Sequence, residues 1–310
     1  MGSIEQTEEY KGDFLFSPST EKTLKYDSIR SDKVYIRNKV NNGNTVNLDI
    51  ANIDAGNNGY IVLSTYKGDL SLGNVQTDYI AASTQQGNIT ISGTINATGE
   101  GSSISISRSN GEVPGGDIIL NSANLSNVAL WSYSFDSNYQ IVQDGTIKIS
   151  GNTTLSNTSI KADSVKVEDG AKLTLEDVVF SSLEESNTGK DPNTGLVLGD
   201  NVTLTLSEGE TLNVRDLTLG NGVDIIIELS KETFASLENQ EFDIFTVEEG
   251  KIDLSSVNFV FTDGKDLKGG TISADGGTIS VTNTKAIPEP ATATLSLLAL
   301  AGLAVRRRRK

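Results

Sequence analysis

The feature that most constrains this chain is a short segment that recurs along its first two thirds. Each copy has a turn residue followed by alternating apolar positions, as in Gly68 to Leu72, which reads GDLSL. Alternation of this kind turns one face of a β-strand inward and the other outward. Gly, Asp and Asn between the copies allow the positive φ angles that tight turns need. The other copies are Gly87 to Ile91, Gly116 to Leu120, Gly145 to Ile149, Ala171 to Leu175 and Val202 to Leu206.

The spacing of these segments decides between two all-β architectures. Their first residues are 19 to 31 positions apart, and the intervals contain further short strands such as SSISIS at 102–107. Hairpins of a β-sandwich repeat every 8 to 12 residues or so, whereas one coil of a parallel β-helix takes roughly 20 to 30. Aromatic residues make up 6% of the chain, too few to fill a thick sandwich core. The sequence therefore predicts an all-β fold, a parallel β-helix (β-solenoid) over residues 1–229, with a sandwich or tandem sandwich as the alternative.

The two ends of this body differ from its middle. Residues 1–45 are predicted to form the first coil or a cap. Residues 230–284 are denser in Phe, and we predict a small β-rich cap there with one short helix, Ser230 to Asn239, N-capped by Ser230. Gly276 and Gly277 are predicted to turn a hairpin. A cap is expected because an uncovered sheet edge aggregates. A β-helix that ends in a compact β cap resembles the passenger regions of autotransporter-type adhesins.

Asparagine is frequent between the predicted strands. In a β-helix such residues occupy turns and stack from coil to coil as amide ladders. We expect this of Asn41, Asn42, Asn57, Asn58, Asn121, Asn124, Asn127, Asn152 and Asn157.

Three aromatic residues share one face of a predicted strand, Trp131, Tyr133 and Phe135. On the outside, Trp131 and Tyr133 would form a platform for stacking sugar rings. On the inside, they would fill a wide coil. The interior position is the preferred prediction, and Trp131 and Tyr133 are kept as candidate glycan-stacking residues.

The C-terminal end has three parts. A hinge at 285–290 contains Pro288, Glu289 and Pro290, and the prolines prevent a helix from continuing toward the body. An uncharged apolar stretch at 291–305 predicts a short hydrophobic helix, about 22 Å long at roughly 1.5 Å per residue. A basic tail follows at 306–310. The apolar stretch includes Ala291, Leu295, Leu297, Leu298, Leu300, Leu303 and Val305, and the tail is Arg306, Arg307, Arg308, Arg309 and Lys310.

This three-part end resembles the PEP-CTERM sorting signal of Gram-negative bacteria. The resemblance implies export, retention in the membrane through the apolar segment, and processing by an exosortase-type enzyme. The body would then reside at the cell envelope, the cell surface or in extracellular matrix. Such proteins also need an N-terminal signal peptide, and Met1 to Tyr10 has no apolar segment. We expect either that this signal has been removed or that the natural chain begins upstream. A decayed or truncated gene product is a third interpretation.

Composition limits the chemistry available. The chain has no Cys and no His, which excludes disulfides, thiolate zinc sites, Cys nucleophiles and the Ser-His-Asp triad. Its net charge of -16 argues against a nucleic-acid partner. The acidic pairs Glu8-Glu9, Glu176-Asp177, Glu184-Glu185 and Glu248-Glu249 are interpreted as solvated faces. Leu219 to Ile226 matches a calcium-binding repeat only partly and in one copy.

We therefore expect no catalytic residues, no metal site and no cofactor. The predicted function is an exported, surface- or matrix-associated, non-catalytic protein, adhesin-like or structural, with a glycan or extracellular polymer as its partner. The alternative is a glycan-active enzyme, a lyase or glycosidase, on the same fold. Acidic pairs on adjacent strand positions point to opposite faces, so any catalytic pair would have to come from different coils.

Overall fold

The structure is a computed structural model that describes residues 2–5, 14–15, 22–37, 45–108, 116–135, 141–143, 145–180, 194–236, 240–248, 254–262, 270–275 and 277–283. Within these residues the chain is all-β, as predicted, with one short helix. The strands of the first half are β1 Gly2–Glu5, β2 Phe14–Leu15, β3 Lys22–Arg30, β4 Lys33–Arg37, β5 Val46–Asp54, β6 Tyr60–Lys67, β7 Leu70–Thr77, β8 Tyr79–Gln86, β9 Ile89–Ile91, β10 Thr94–Ala97, β11 Ser103–Arg108, β12 Ile118–Asn121, β13 Asn124–Ser126, β14 Ala129–Phe135 and β15 Ile141–Gln143.

The second half continues in the same way and then changes. The remaining elements are β16 Thr146–Ser150, β17 Asn152–Lys161, β18 Ser164–Val167, β19 Lys172–Phe180, β20 Gly195–Leu198, β21 Thr203–Leu206, β22 Leu212–Val214, β23 Leu217–Leu219, β24 Val223–Glu228, α1 Lys231–Ser236, β25 Glu241–Val247, β26 Val257–Thr262, β27 Gly270–Asp275 and β28 Thr278–Asn283.

The strands of the body pair in parallel along three rows. The chain passes through the rows in turn and then returns to the first one, one strand further along. Row A is β3-β5-β7-β9-β12-β16-β18-β20-β23, row B is β3-β5-β7-β10-β13-β17-β19-β21-β24-β26, and row C is β2-β4-β6-β8-β11-β14-β17-β19. The long strands β3, β5, β7, β17 and β19 each serve two rows. This largely parallel, open arrangement is compatible with the predicted parallel β-helix.

Inward side chains stack in columns of similar size. Leu70 pairs in register with Ile89, Ile89 with Ile118, and Ile118 with Ile147, and all four are fully buried. Burial of such aliphatic side chains contributes about 1.5 to 3 kcal/mol each. The narrow columns of Leu, Ile and Val explain why the body needs few aromatic residues.

The six segments of similar form do not share one row. Those that begin at Gly68, Gly87, Gly116 and Gly145 lead into row A. The last two, Ala171 to Leu175 and Val202 to Leu206, lie in row B, in β19 and β21. Treating all six as one repeated position was therefore wrong. Alternation specifies which side of a strand is buried, but it carries no information about which row the strand joins.

The corner before row A contains the Gly-Asx dipeptides at 68–69, 87–88 and 116–117, which follow Asn47 of β5. The side-chain oxygen of each Asx accepts the backbone N–H of the next one. Asp69 N donates to Asn47 Oδ1 (2.9 Å), Asn88 N to Asp69 Oδ1 (2.8 Å) and Asp117 N to Asn88 Oδ1 (2.9 Å). Lys148 ends this ladder with an ion pair to Asp117 at 2.7 Å. The short polar side chains thus satisfy corner N–H groups that the strand pairing leaves free.

The predicted amide ladders are confirmed at the corner between rows B and C. Asn157 Nδ2 donates to Asn127 Oδ1, and Asn127 Nδ2 donates to the carbonyl of Ala97 at 2.6 Å. Asn127 and Asn157 both have positive φ, which asparagine tolerates better than most residues. Asn57 and Asn58 lie in a turn, Asn121 ends a strand, and Asn124 and Asn152 begin strands; Asn41 and Asn42 lie outside the described residues.

The C-terminal part combines antiparallel pairs with further parallel ones. Of the helix predicted at Ser230 to Asn239, the structure shows Lys231–Ser236 as α1, and residues 237–239 lie outside the described residues. The Thr233 N–H donates to Ser230 Oγ at 3.1 Å, which confirms Ser230 as the N-cap. The predicted hairpin is also confirmed, since β27 pairs with β28 in antiparallel fashion. A second sheet has the order β22-β25-β28-β27, while β26 continues row B beyond the helix. The two sheets therefore interleave along the sequence.

Candidate functional site

Trp131 and Tyr133 lie on the outer side of β14. Leu130 and Ser132 alternate with them and are fully buried. The preferred prediction of an interior position was therefore wrong. The inner column at this level is already filled by aliphatic and small side chains, so the large rings face outward. The side chain of Phe135 lies outside the described residues.

An open groove of about 550 Å³ runs beside Trp131 on the outer side of row C. Its floor includes small side chains from neighbouring strands, Ala129 and Ser159, each one position before the register partners Leu130 and Ile160. Val179 follows in the next strand and is 58% exposed, so this end of the groove is open to solvent. The turn that contains Glu100 and Gly101 forms another part of the lining.

Trp131 contributes an apolar surface to the lining, and Lys161 lies against its ring. The ammonium of Lys161, its register partner, lies 5.5 Å from the indole ring centre, within the range of a cation–π contact. The indole Nε1 is buried and has no hydrogen-bond partner within the described part of the chain. The solvent-accessible part of the indole is therefore carbon.

Two carboxylates give the groove an acidic character. Glu100 and Asp177 both line it, and both are exposed. Among the described residues, neither carboxylate has a hydrogen-bond or ion-pair partner. One cation lies beside the groove, the ammonium of Lys161 over the Trp131 ring. The groove thus combines an apolar wall with hydrogen-bond acceptors.

Glu210 fixes the backbone at the edge of the groove. Its carboxylate accepts the N–H of Asp177 at 2.8 Å and the N–H of Val178 at 2.9 Å. Asp177 has a positive φ, a conformation that needs such support. Burial raises the pKa of Glu210, and this effect outweighs the two N–H groups, which lower it.

Replacing Glu210 by glutamine is expected to lower the free energy of unfolding by about 1 kcal/mol at pH 7, because the amide NH₂ faces one of the two N–H donors. The difference between wild type and E210Q should grow as the pH falls. A carboxyl whose pKa is raised on folding contributes stability that is complete below its unfolded pKa, near 4.3, and lost as pH rises through the folded value. Urea denaturation at pH 4 and pH 7 measures both effects.

Glu208 provides a control of opposite sign. Its hydrogen bonds with Thr233 and with the Ser230 backbone lower its pKa. Its stabilising contribution is therefore present above its unfolded pKa and is lost as pH falls, so the difference between wild type and E208Q should shrink toward pH 4. The same trend for both variants would contradict the assignment of Glu210.

A stack of tyrosines approaches the groove along the same outer side. Tyr60 and Tyr79 are parallel, with ring centres 4.6 Å apart, and Tyr35 is tilted against Tyr60 at 5.5 Å. The register brings Gly101 next to Tyr79, and a Cβ at Gly101 would lie 3.8 Å from the Tyr79 ring. Burial, with a smaller effect from Tyr60, raises the pKa of Tyr79. The stack ends where the groove lining begins.

The other candidates from the sequence are structural or lie elsewhere. Glu176 and Asp177 are exposed, as is Glu248. Glu8, Glu9, Glu184, Glu185 and Glu249 lie outside the described residues. The partial calcium repeat, Leu219 to Ile226, forms a corner in which Asn221 N donates to Asp200 Oδ1 at 2.7 Å. Across the described ranges, no cluster of three metal-ligating side chains is present.

The sorting segment lies outside the described residues, from the predicted hinge at 285–290 through the apolar stretch at 291–305 to the basic tail. Pro288, Glu289, Pro290 and Arg306 to Lys310 are therefore not placed relative to the groove. In the part of the chain that is described, no helix is both long enough and apolar enough to span a membrane.

The comparisons with known proteins concern the C-terminal end alone. Residues 286–310 match the family model described as the PEP-CTERM protein-sorting motif. No curated protein and no solved structure matches the chain. The motif supports export, membrane anchoring before processing, and sorting by an exosortase to the cell envelope. The likeness of the body to autotransporter passengers stays a prediction.

Proposed function

We propose that this chain is an exported protein of the cell surface or extracellular matrix whose body is a parallel β-helix without a catalytic role. An adhesin-like or structural function is the one that the geometry supports best. The observation that carries the proposal is the sorting motif at 286–310, because it implies delivery of the body to the outside of the cell.

The parallel pairing of the strands in the body supports a β-helix with exposed lateral surfaces. As far as β19, each pass of the chain adds one parallel strand to rows A, B and C, and rows A and B continue beyond it, so the body lengthens by about 4.8 Å per coil. The antiparallel pairs of β28 with β25 and β27 support a cap at 230–284. The proposed division is a β-helix at 1–229, with its first coil or cap at 1–45, and the sorting signal at 285–310. Within it, β26 of the cap region adds a last parallel strand to row B.

The outer sides carry polar residues that repeat from coil to coil. Ser64, Ser83 and Ser105 occupy one outward line of row C, in register. Repeated, weakly interacting positions on one molecule suit multivalent contact with a polymer, where many weak contacts add up to firm attachment. This favours an adhesive or structural role over one localised reaction centre.

The sorting part of the proposal is tested by mass spectrometry of the C-terminus after fractionation of the native cells. We expect a C-terminus upstream of Arg306 in an envelope, surface or extracellular fraction. A soluble intracellular fraction in which all chains still end at Lys310 would overturn export and processing.

The non-catalytic part needs a separate assay. Purified protein is incubated with pectin, xylan, cellulose and mucin, and the release of reducing ends is measured over a day. We expect no release above that of heat-denatured protein. Release from any of these polymers would favour the alternative, a glycan-active enzyme on the same fold.

A further inference from the structure

We propose that the groove beside Trp131 is a binding site for a neutral oligosaccharide, with one sugar ring packed on the exposed carbon surface of the indole. This deepens the proposed surface role, on which it rests, by assigning a ligand class to one site. The proposal rests on the shape of the groove, its lining and its charge.

The size of the groove fits a short stretch of glycan. Its volume of about 550 Å³ lies within the range of roughly 300 to 1,000 Å³ typical of small-ligand sites. Its floor of Ala129 and Ser159 is small, while Trp131 stands beside it, and Val179 leaves one end open. An open end lets a chain continue beyond the groove, as a polymer requires.

The walls present the two surfaces that a sugar ring needs. A pyranose has an apolar C–H face and a rim of hydroxyl groups. Trp131 offers a carbon surface because its Nε1 is buried, and the apolar C–H face of the sugar can pack against that surface. The carboxylates of Glu100 and Asp177 accept hydrogen bonds but cannot donate them, which matches hydroxyl donors.

The site is largely preorganised. Lys161 holds one side of the Trp131 ring through its cation–π contact, and Glu210 holds the backbone of Asp177 and Val178. Side chains that are already ordered lose less entropy when a ligand binds. The hydrogen bond from Asn157 to Asn127 fixes the corner between rows B and C.

The charge selects the kind of glycan. Two carboxylates line the groove, and the whole chain has a net charge of -16. Uronic acids and sulfated sugars would place like charges against Glu100 and Asp177, which disfavours them. A neutral glycan meets no such repulsion.

Trp131 is the only tryptophan in the chain, so its fluorescence reports on this groove alone. The probes are cellohexaose, xylohexaose and mannohexaose as neutral glycans and hexagalacturonate as the acidic one, titrated into the full chain at near-physiological salt. We expect at least one neutral hexasaccharide to shift the emission, with a Kd between about 0.1 and 1 mM, and hexagalacturonate to bind at least tenfold more weakly.

Two variants test the location of the site. Ser159→Tyr fills the floor but keeps Trp131 as a reporter, and Trp131→Ala removes the wall, with binding then measured by calorimetry. Each is expected to weaken binding of the neutral glycan at least tenfold. Tyr60→Ala, an exposed aromatic outside the lining, is the matched control and should leave the affinity unchanged.

The proposal is overturned by any of three results: no neutral probe changes the Trp131 emission, hexagalacturonate binds more tightly than the neutral probes, or Ser159→Tyr binds like wild type while folded by circular dichroism. These measurements use purified protein and are independent of cell fractionation. A failed groove would leave export intact, and a failed export experiment would not change the titration.

Discussion

Replacing Gly68 by alanine is expected to lower the free energy of unfolding by about 4 kcal/mol, because two separate penalties meet at this corner. Gly68 has φ +132°, a backbone conformation that residues with a side chain rarely adopt. A Cβ there would lie 2.2 Å from the carbonyl oxygen of Val46 in the neighbouring strand. The backbone cannot move away cheaply, since Thr65 and Thr84 both donate to the Gly68 carbonyl and the Gly68 N–H donates to Gln86.

Substitutions at two other glycines allow the steric penalty and the backbone-strain penalty to be measured separately. Gly87 needs no positive φ, but its Cβ would lie 2.1 Å from the carbonyl oxygen of Gly68, so Gly87→Ala tests crowding alone. Gly56 has φ +72° and nothing within 4 Å, so Gly56→Ala tests backbone strain alone, at about 1 kcal/mol. Urea denaturation followed by circular dichroism should rank the losses as Gly68, then Gly87, then Gly56. A loss at Gly56 as large as that at Gly68 would show that stacking of the corners is not the cause.

This corner explains why part of the fold could be predicted from the sequence. The glycine and the short polar residue after it are required each time the chain crowds against its previous pass. They therefore recur at the spacing of one pass, and so do the alternating apolar residues that follow. The N-cap Ser230 and the hairpin of β27 and β28 depend on local turn and capping chemistry, so they too could be predicted from the sequence, and both are confirmed.

The row of each strand was less predictable. Ala171 to Leu175 has the same alternation as Gly145 to Ile149, but it lies in row B and not in row A. The difference depends on how many residues the preceding corners take up, and β17 runs through two rows with one residue of positive φ, Asn157, between them. Because the number of residues in a corner varies from pass to pass, the row that a strand joins leaves no periodic signal in the sequence.

The candidate groove could be predicted only in part. Trp131 was recognisable as a candidate because it is a large aromatic in a chain with few of them. Its partners were not, since Glu100, Lys161 and Asp177 come from different passes and meet only through the register of row C. The side on which Trp131 lies was predicted wrongly, because alternation of apolar residues favours the interior for a large ring. Ser132, which lies between Trp131 and Tyr133 and faces inward, is small, and its size was the signal for an outward position of the two rings.

Replacing Pro288, Glu289 and Pro290 together by alanine is expected to reduce removal of the basic tail by roughly 100-fold, the scale of loss when a reacting bond is misplaced by about 1 Å. Proline disfavours a helix at and before its own position, so the sequence predicts a non-helical hinge before the apolar stretch. Alanine has the highest helix propensity, so the variant sequence favours one helix that extends from the hinge through residue 305. A peptide bond within a helix is not presented to an enzyme as extended backbone, and Glu289 is lost as a recognition group.

The control is Thr292→Ala with Thr294→Ala, which raises helix propensity within the apolar stretch but leaves the three motif residues intact. The ratio of processed to intact C-termini, measured by mass spectrometry in cell fractions, should match wild type for this control and collapse for the motif variant. The intact chain should then accumulate in the membrane fraction, because the apolar stretch and Arg306 to Lys310 remain attached to the body. Normal processing of the motif variant would contradict sorting through this segment, whereas equal loss in both variants would point to helix propensity and away from recognition of the motif.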